Sequence, residues 1–208
     1  MKFLCEQLSK AASAWLLAIV VAFASIVLAV WWGGVNQDEG WYLYAARLVG
    51  EGQVPYRDFF FTQGPVLPYV YSVFPIRGLL SGRLVTLGFS VFSILVAVAY
   101  ARSLVAPNRR NAVSLAVFAM LACNLYHMYF TSMPKTYALG SLFVMLGFLF
   151  LRKGFVFLSA MSFAFASGTR ISLVLILGVV GVGLLLTQFR QLHWLRFGLG
   201  GVFGLFLV

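Results

Sequence analysis

Acidic residues are scarce in this 208-residue chain, which has five Asp and Glu against 15 Lys and Arg, and only 10% charged residues in total. Soluble domains carry roughly 25% charged residues, whereas 62% of this chain is hydrophobic. The composition therefore predicts an integral membrane protein. Because the basic residues stand singly or in pairs between apolar runs, without a basic stripe or arm, nucleic-acid binding is not expected despite the net charge of +10.

Cysteine is also scarce, and recognised catalytic motifs are missing. Cys5 lies in the N-terminal tail and Cys123 inside an apolar run, so we expect neither a disulfide framework nor a zinc site. We find no Gly-rich phosphate loop, no HExxH motif and no nucleophile elbow. The lack of a nucleotide-binding motif agrees with a donor that is linked to lipid.

Long apolar runs predict the architecture, since about twenty residues cross ~30 Å of hydrocarbon. The predicted spans are 13–32, 84–105, 112–130, 137–151, 155–166, 171–187 and an incomplete run at 197–208. The first run is too long for the core of a signal peptide, so we expect it to stay uncleaved. The fold class is an all-α polytopic transmembrane helical bundle, and 1–208 is expected to be the N-terminal part of a longer transmembrane domain.

Lys and Arg residues predict the orientation. With a cytoplasmic N-terminus, nine fall on the cytoplasmic side: Lys2, Lys10, Arg102, Arg109, Arg110, Arg152, Lys153, Arg190 and Arg196. Six fall on the other side: Arg47, Arg57, Arg77, Arg83, Lys135 and Arg170. The nine lie in tails and short turns, where the positive-inside rule applies best. We therefore expect loop 33–82 to be extracytoplasmic, in a plasma membrane or bacterial inner membrane.

That loop holds four of the five carboxylates: Asp38, Glu39, Glu51 and Asp58. A cluster of carboxylates beside hydrocarbon is costly and needs an explanation. The loop also predicts two short interfacial helices, one over 36–50 and one over 64–74. The apolar face of the first is expected to be Trp41, Tyr44, Ala45 and Leu48.

Local structure offers one explanation of these carboxylates. Asn36 is suited to cap the first loop helix with Glu39 at its third position, and Asp38 complements the helix dipole. Asp58 is suited to a turn or to an ion pair with Arg57 or Arg47. Catalysis is the other explanation, and both stay open at this point.

Four features in order carry a resemblance. Asp38-Glu39 opens a helix after the first span, and Ala46-Arg47 follows. A Gly52-x-x-Pro55 turn and a Gly64-Pro65-x-x-x-Tyr69 helix come next. This order resembles the first extracytoplasmic loop of GT-C glycosyltransferases, in the branch of protein O-mannosyltransferases, aminoarabinose transferases and bacterial polyprenyl-phosphate-sugar transferases. The resemblance covers about residues 1 to 190 and is specific over 36–71, while the family's C-terminal soluble domain has no counterpart here.

The resemblance implies a sugar transferase that uses a polyprenyl-phosphate donor and an acceptor hydroxyl on a lipid, a glycan or a protein. It implies Asp38 as the catalytic carboxylate with Glu39 beside it, and in some members such a pair helps to hold a divalent metal, Mn or Mg. Asp58 matches a position often acidic in related bacterial sequences, with a catalytic or acceptor-binding role.

The departing phosphate needs positive charge beside it. The outer-face candidates are Arg47, Arg57, Arg77, Arg83, Lys135 and Arg170. Lys135 and Arg170 stand out, because each lies in a short turn between spans, and Arg57 adjoins Asp58. For Arg77 and Arg83 we expect instead that the side chain snorkels to the lipid phosphates.

Two other functions remain alternatives. A transporter or flippase places ionisable groups within spans, whereas the predicted interiors of 13–32, 112–130, 137–151 and 171–187 contain no Asp, Glu, Lys or Arg. A non-catalytic, truncated membrane subunit is the second alternative. His127, in an aromatic belt, is expected to pack at the interface.

Overall fold

The computed structural model describes residues 2–187 and 193–208, with side chains described from residue 11 onwards. Arg190, which contributes to the predicted orientation, lies outside the described residues. Helices account for 80% of the structure, and the described residues contain no strand. The all-α class is therefore confirmed.

Ten α-helices follow one another along the chain. The first five are α1 Lys2–Val27, α2 Gln37–Gly50, α3 Val66–Ser72, α4 Leu79–Ser103 and α5 Arg110–Ala122. The next five are α6 Leu125–Ser132, α7 Thr136–Arg152, α8 Val156–Thr169, α9 Val174–Thr187 and α10 His193–Phe206. A π-helical turn, Leu28–Trp32, extends α1, and short 3₁₀ turns at Pro107–Arg109 and Ile171–Leu173 precede α5 and α9.

Two helices, Ala11–Trp32 and Leu79–Ser103, are long and apolar enough to cross a membrane, which indicates a membrane protein. The pair Pro107–Ala122 and Leu125–Ser132 forms a third candidate, bent by 65°. Shorter apolar helices make up the remainder. A helix or helix pair thus overlaps each of the seven predicted spans, although length and composition mark only these as candidates.

The prediction of one continuous helix over 112–130 was wrong. The backbone leaves the helix at Cys123 and Asn124, and the Asn124 side chain accepts a hydrogen bond from the His127 N–H at 3.1 Å. Asparagine is a strong N-cap residue because its side-chain oxygen satisfies a free amide of the first turn. The cap therefore starts a new helix at a point where the apolar pattern runs on.

The helices pack so that α4 lies between α5 and α7, and α8 lies between α7 and α10. The helix α1 packs against α5, where the Trp15 indole donates to the Asn111 side chain at 3.0 Å. The segment between α1 and α4 forms a small subdomain in which α2 packs on α3, and its apolar core includes Tyr42, Phe61 and Tyr71. This subdomain lies over the ends of α4, α7 and α8.

Both predicted loop helices are confirmed as α2 and α3, but the expected apolar face of α2 was partly wrong. Tyr42, Ala45 and Leu48 are buried, whereas Trp41 and Tyr44 are exposed. The predicted face was chosen from the apolar spacing alone. In the structure the helix is turned so that Glu39, a charged residue, points inward.

The Glu39 carboxylate is completely buried, with 0% exposure, and it pairs with Arg83 of α4, which is 4% exposed. The guanidinium is bidentate, since Nε donates to Oε2 and Nη2 to Oε1, both at 2.9 Å. The remaining Arg83 donors reach the carbonyl oxygens of Val30, Gly33 and Gly34 at 2.8–3.2 Å. One side chain thus joins the end of α1, the start of α2 and α4.

The expectation that Arg83 snorkels to lipid was wrong for the same reason. A helix begins at Leu79 rather than at the predicted residue 84, so Arg83 lies within α4 and faces the protein. A buried guanidinium is tolerated only when its charge and donors are satisfied. Glu39 and the backbone carbonyls supply both.

A close approach of two backbones attaches the loop to α8. A Cβ placed on Gly64 would come within 2.0 Å of the Gly168 carbonyl oxygen. Only glycine fits at this contact. It brings the chain just before α3 to the end of α8, two residues before Arg170.

We predict that breaking the Glu39–Arg83 pair destabilises the protein by about 3–5 kcal/mol, because one buried charge is left without its partner. Glu39→Gln and Arg83→Met are to be compared with the double variant by unfolding in detergent. The double variant should lose less than the sum of the two single losses. Strictly additive losses would show that the two side chains do not depend on each other.

Candidate functional site

Asp38 lies in the first turn of α2, where the Asn36 side chain accepts from its N–H at 3.0 Å. Asn36 in turn donates its own N–H to Glu39 Oε1 at 2.9 Å, so the predicted capping box is confirmed. The cap holds the start of α2 in place. The Asp38 side chain is 53% exposed and accepts an ion pair from the Lys135 ammonium, with Nζ and Oδ2 2.8 Å apart.

Lys135 is the residue just before α7, and its side chain is only 11% exposed. A lysine ammonium is strongly hydrated, so burying it is costly without a partner. Asp38 supplies that partner from a distant part of the chain. The pair is therefore fixed on the Lys135 side and open to solvent on the Asp38 side.

Arg170 follows α8 and lies beside the same pair. Its Cζ atom is 4.9 Å from the centroid of the Tyr137 ring, a cation–π contact, and its Nε donates to Ser172 Oγ at 3.2 Å. In the described part of the chain Arg170 has no carboxylate partner. It is a cation whose charge is available to a ligand.

Tyr42 connects these groups. Burial raises the pKa of its hydroxyl, and the Asp38 carboxylate raises the pKa further, as does Tyr137, whereas the Arg170 guanidinium lowers it. All three neighbours are thus within electrostatic reach of one phenol. We call Asp38, Tyr42, Lys135, Tyr137 and Arg170 the charged cluster.

A cleft of ≈ 400 Å³ opens at the charged cluster and runs between α7 and α9. Its polar lining residues are Thr136, Tyr137, Ser141, Arg170 and Ser172, and its apolar ones include Val144, Met145, Leu173 and Ile176. A cation thus lies beside aliphatic walls in one cleft. Such a cleft suits an amphiphile with an anionic head and an apolar tail. We call it the donor cleft.

The other predicted site residues lie elsewhere or are already engaged. Both oxygens of Glu39 accept from Arg83, which leaves no exposed surface for a ligand. Asp58 accepts from the Val54 N–H at 2.8 Å and pairs with Arg57 through two hydrogen bonds of 2.9 and 2.8 Å. Of the two partners proposed for Asp58, Arg57 is the one observed. These contacts close a turn in the loop and do not join the charged cluster.

The residues present do not make a ready cation site. No group of three His, Cys, Asp or Glu side chains comes together in residues 2–187 and 193–208. Of the predicted metal ligands, Glu39 is occupied by Arg83, and the Lys135 ammonium lies 2.8 Å from Asp38, where a metal would meet like charge. The predicted Mn or Mg site therefore does not fit this donor set, and no step below uses a metal.

Sequence reasoning missed Tyr42 and Tyr137 as site residues. Tyr42 is four residues after Asp38, so the two share one face of α2, and Tyr137 is two residues after Lys135. These spacings were available, but aromatic residues are so frequent here, at 17%, that neither one stood out.

Comparison of the chain with protein-family models, with curated proteins and with solved structures gave no match. The site must therefore be interpreted from its own geometry.

We predict that Asp58 titrates far below an ordinary carboxyl group. The Arg57 guanidinium and the Val54 N–H lower the pKa of Asp58 to about 2. Because the folded-state pKa is depressed, the turn is stabilised above pH 3.8, the ordinary value, and loses this contribution as pH falls through about 2. Asp38 and Asp58 are the only aspartates in the sequence, so ¹³C labelling of aspartate gives two carboxyl signals, which Asp38→Asn assigns.

In the Arg57→Gln variant the Asp58 midpoint should rise towards its ordinary value. A midpoint near 3.8 in the unmodified protein would contradict the observed turn.

Proposed function

We propose that this chain carries the donor-binding and catalytic end of a membrane glycosyltransferase, which moves a sugar from a polyprenyl phosphate to an acceptor hydroxyl. One observation supports this most directly. Asp38, Lys135 and Arg170 come from three separate segments, and they surround Tyr42 at the donor cleft. A base and two cations beside an apolar cleft are the groups that this reaction needs.

The donor is an amphiphile, and each half has a counterpart in the donor cleft. Its phosphate is placed at Arg170, whose guanidinium can form two parallel hydrogen bonds to phosphate oxygens. Its prenyl chain runs along the aliphatic walls formed by Val144, Met145 and Ile176. The sugar then projects towards Asp38.

The reaction is a displacement at the anomeric carbon. The acceptor oxygen forms a bond to that carbon, and the bond between the carbon and the phosphate oxygen breaks, with its electron pair leaving on the phosphate. Asp38 takes the proton of the acceptor hydroxyl, for which its carboxylate must lie about 3 Å from the oxygen. Lys135 and Arg170 balance the charge that develops on the phosphate.

Lys135 has two partners in this scheme. It pairs with Asp38 at 2.8 Å in the free chain, and the phosphate of a bound donor competes for the same ammonium. Donor binding then releases the half-exposed Asp38 carboxylate towards the acceptor. This order of events keeps the base engaged until a donor is present.

The proposed topology has seven spans, a cytoplasmic N-terminus and an extracytoplasmic loop 33–82. At the opposite end of the bundle from the charged cluster, Arg152 donates to the Ser103 carbonyl at 3.3 Å and Arg102 to Ser114 Oγ at 3.5 Å. These arginines favour a cytoplasmic location for their end. The charged cluster is then placed at the outer membrane face of a plasma or bacterial inner membrane.

For the full-length protein in membrane vesicles, we predict that Asp38→Asn lowers sugar transfer from polyprenyl phosphate by about 10²–10⁴-fold, since the general base is lost. Glu51→Gln, a matched change at an exposed carboxylate of the same loop, should leave transfer unchanged. Transfer is measured with a radiolabelled donor, and membrane insertion with an epitope tag. Wild-type turnover by Asp38→Asn would remove Asp38 from the catalytic role.

We also predict that Lys135→Gln and Arg170→Gln each raise the KM for the lipid-phosphate donor by about 10- to 100-fold. This corresponds to about 1.5–3 kcal/mol for one hydrogen bond to a charged group. Lys153→Gln, at the opposite end of α7, is the matched control and should not change KM. If KM for the donor stays constant in all three variants, the phosphate does not bind at Lys135 or Arg170.

A further inference from the structure

The ion pairs of the loop leave two cations over. Each carboxylate in 33–82 pairs with one cation, in the pairs Asp38–Lys135, Glu39–Arg83, Glu51–Arg47 and Asp58–Arg57. Among the described cations at this end of the bundle, Arg77 and Arg170 remain without a carboxylate. Arg170 lies in the donor cleft. Arg77 lies in a different one.

The second cleft has a volume of ≈ 720 Å³ and lies between α2 and the start of α4. Its lining residues include Gly40, Leu43, Arg47, Arg77 and Leu79. Arg47 is nine residues after Asp38, which is about half a turn away at about 100° per residue. The cleft therefore lies on the face of α2 opposite to the charged cluster, and we call it the arginine cleft.

We propose that the arginine cleft binds the phosphate headgroup of an anionic membrane lipid. This inference does not depend on the sugar transfer proposed above. The Arg77 guanidinium is exposed and makes no side-chain hydrogen bond or ion pair to a described residue. Arg47 uses Nε for Glu51, at 2.9 Å, which leaves its two terminal nitrogens for a ligand.

The backbone contributes to the same site. Gly78 and Leu79 line the cleft, and Leu79 begins the 25-residue helix α4. The N-terminus of a helix carries partial positive charge, which favours a phosphate. Two guanidinium groups and a helix N-terminus thus act on one volume.

The rim of the arginine cleft indicates a lipid rather than a free anion. Val35 is 76% exposed beside it, and the exposed Tyr44 lines it as well. These apolar side chains lie beside the cations, as an amphiphile requires, and a small inorganic anion would not use them. The paired cations and the apolar rim together specify a lipid phosphate.

Native mass spectrometry of the protein in a neutral detergent tests this proposal, with phosphatidylglycerol, phosphatidylcholine and soluble glycerol phosphate as the three probes. We expect phosphatidylglycerol to bind more tightly than phosphatidylcholine. Arg77→Gln should weaken that binding about tenfold, because one charge-assisted contact is lost. Arg57→Gln, an exposed arginine of the same loop, is the control and should change binding less than twofold.

The outcomes separate the possible ligands. If glycerol phosphate displaces phosphatidylglycerol at similar concentrations, the site recognises phosphate alone, and a lipid as its ligand is overturned. Equal binding of both lipids, unaffected by Arg77→Gln, would overturn the site itself. The melting temperature of each variant is recorded in parallel, and an Arg77→Gln protein that melts like the wild type confirms that any loss is local.

Discussion

The ion pair between Glu39 and Arg83 is the interaction on which the position of α2 depends. Both groups are buried, and the remaining Arg83 donors bind the carbonyls at the end of α1. A pair of this kind contributes little net stability against an apolar replacement, but it requires one arrangement of its partners. Because α2 is fixed through Glu39, the neighbouring residue Asp38 points away from α4 and meets Lys135. The buried carboxylate thus orients the exposed one.

This division of roles also bears on the alternative of a transporter. Transporters move ions past ionisable groups that lie within their spans. Here Arg83 lies within a span-length helix, but a bidentate carboxylate and three backbone carbonyls hold it. The accessible charges instead lie at one end of the bundle, at the mouth of the donor cleft and in the arginine cleft. That distribution fits chemistry and lipid binding at an interface better than conduction through the bundle.

Much of the fold follows from the sequence, because long apolar runs permit few structures other than helices. Local signals also sufficed for the capping box at Asn36 and for the turn at Asp58. The sequence did not reveal which of two adjacent carboxylates is buried, since that depends on Arg83, 44 positions away. It also did not show that Lys135 and Asp38 meet, although both were candidates for the same site. Long-range pairs of this kind depend on helix packing, and periodicity within one segment carries no record of it.

The account rests on a donor whose phosphate lies at Arg170 and whose prenyl chain follows α7 and α9. Photoaffinity labelling with a polyprenyl phosphate that carries a diazirine in its first isoprene units tests this directly. The account predicts cross-links to the walls of the donor cleft, at Val144, Met145 or Ile176, and their loss in Arg170→Gln. Cross-links confined to the apolar groove between α1 and α5, near Phe23 and Phe118, and unaffected by Arg170→Gln, would contradict it.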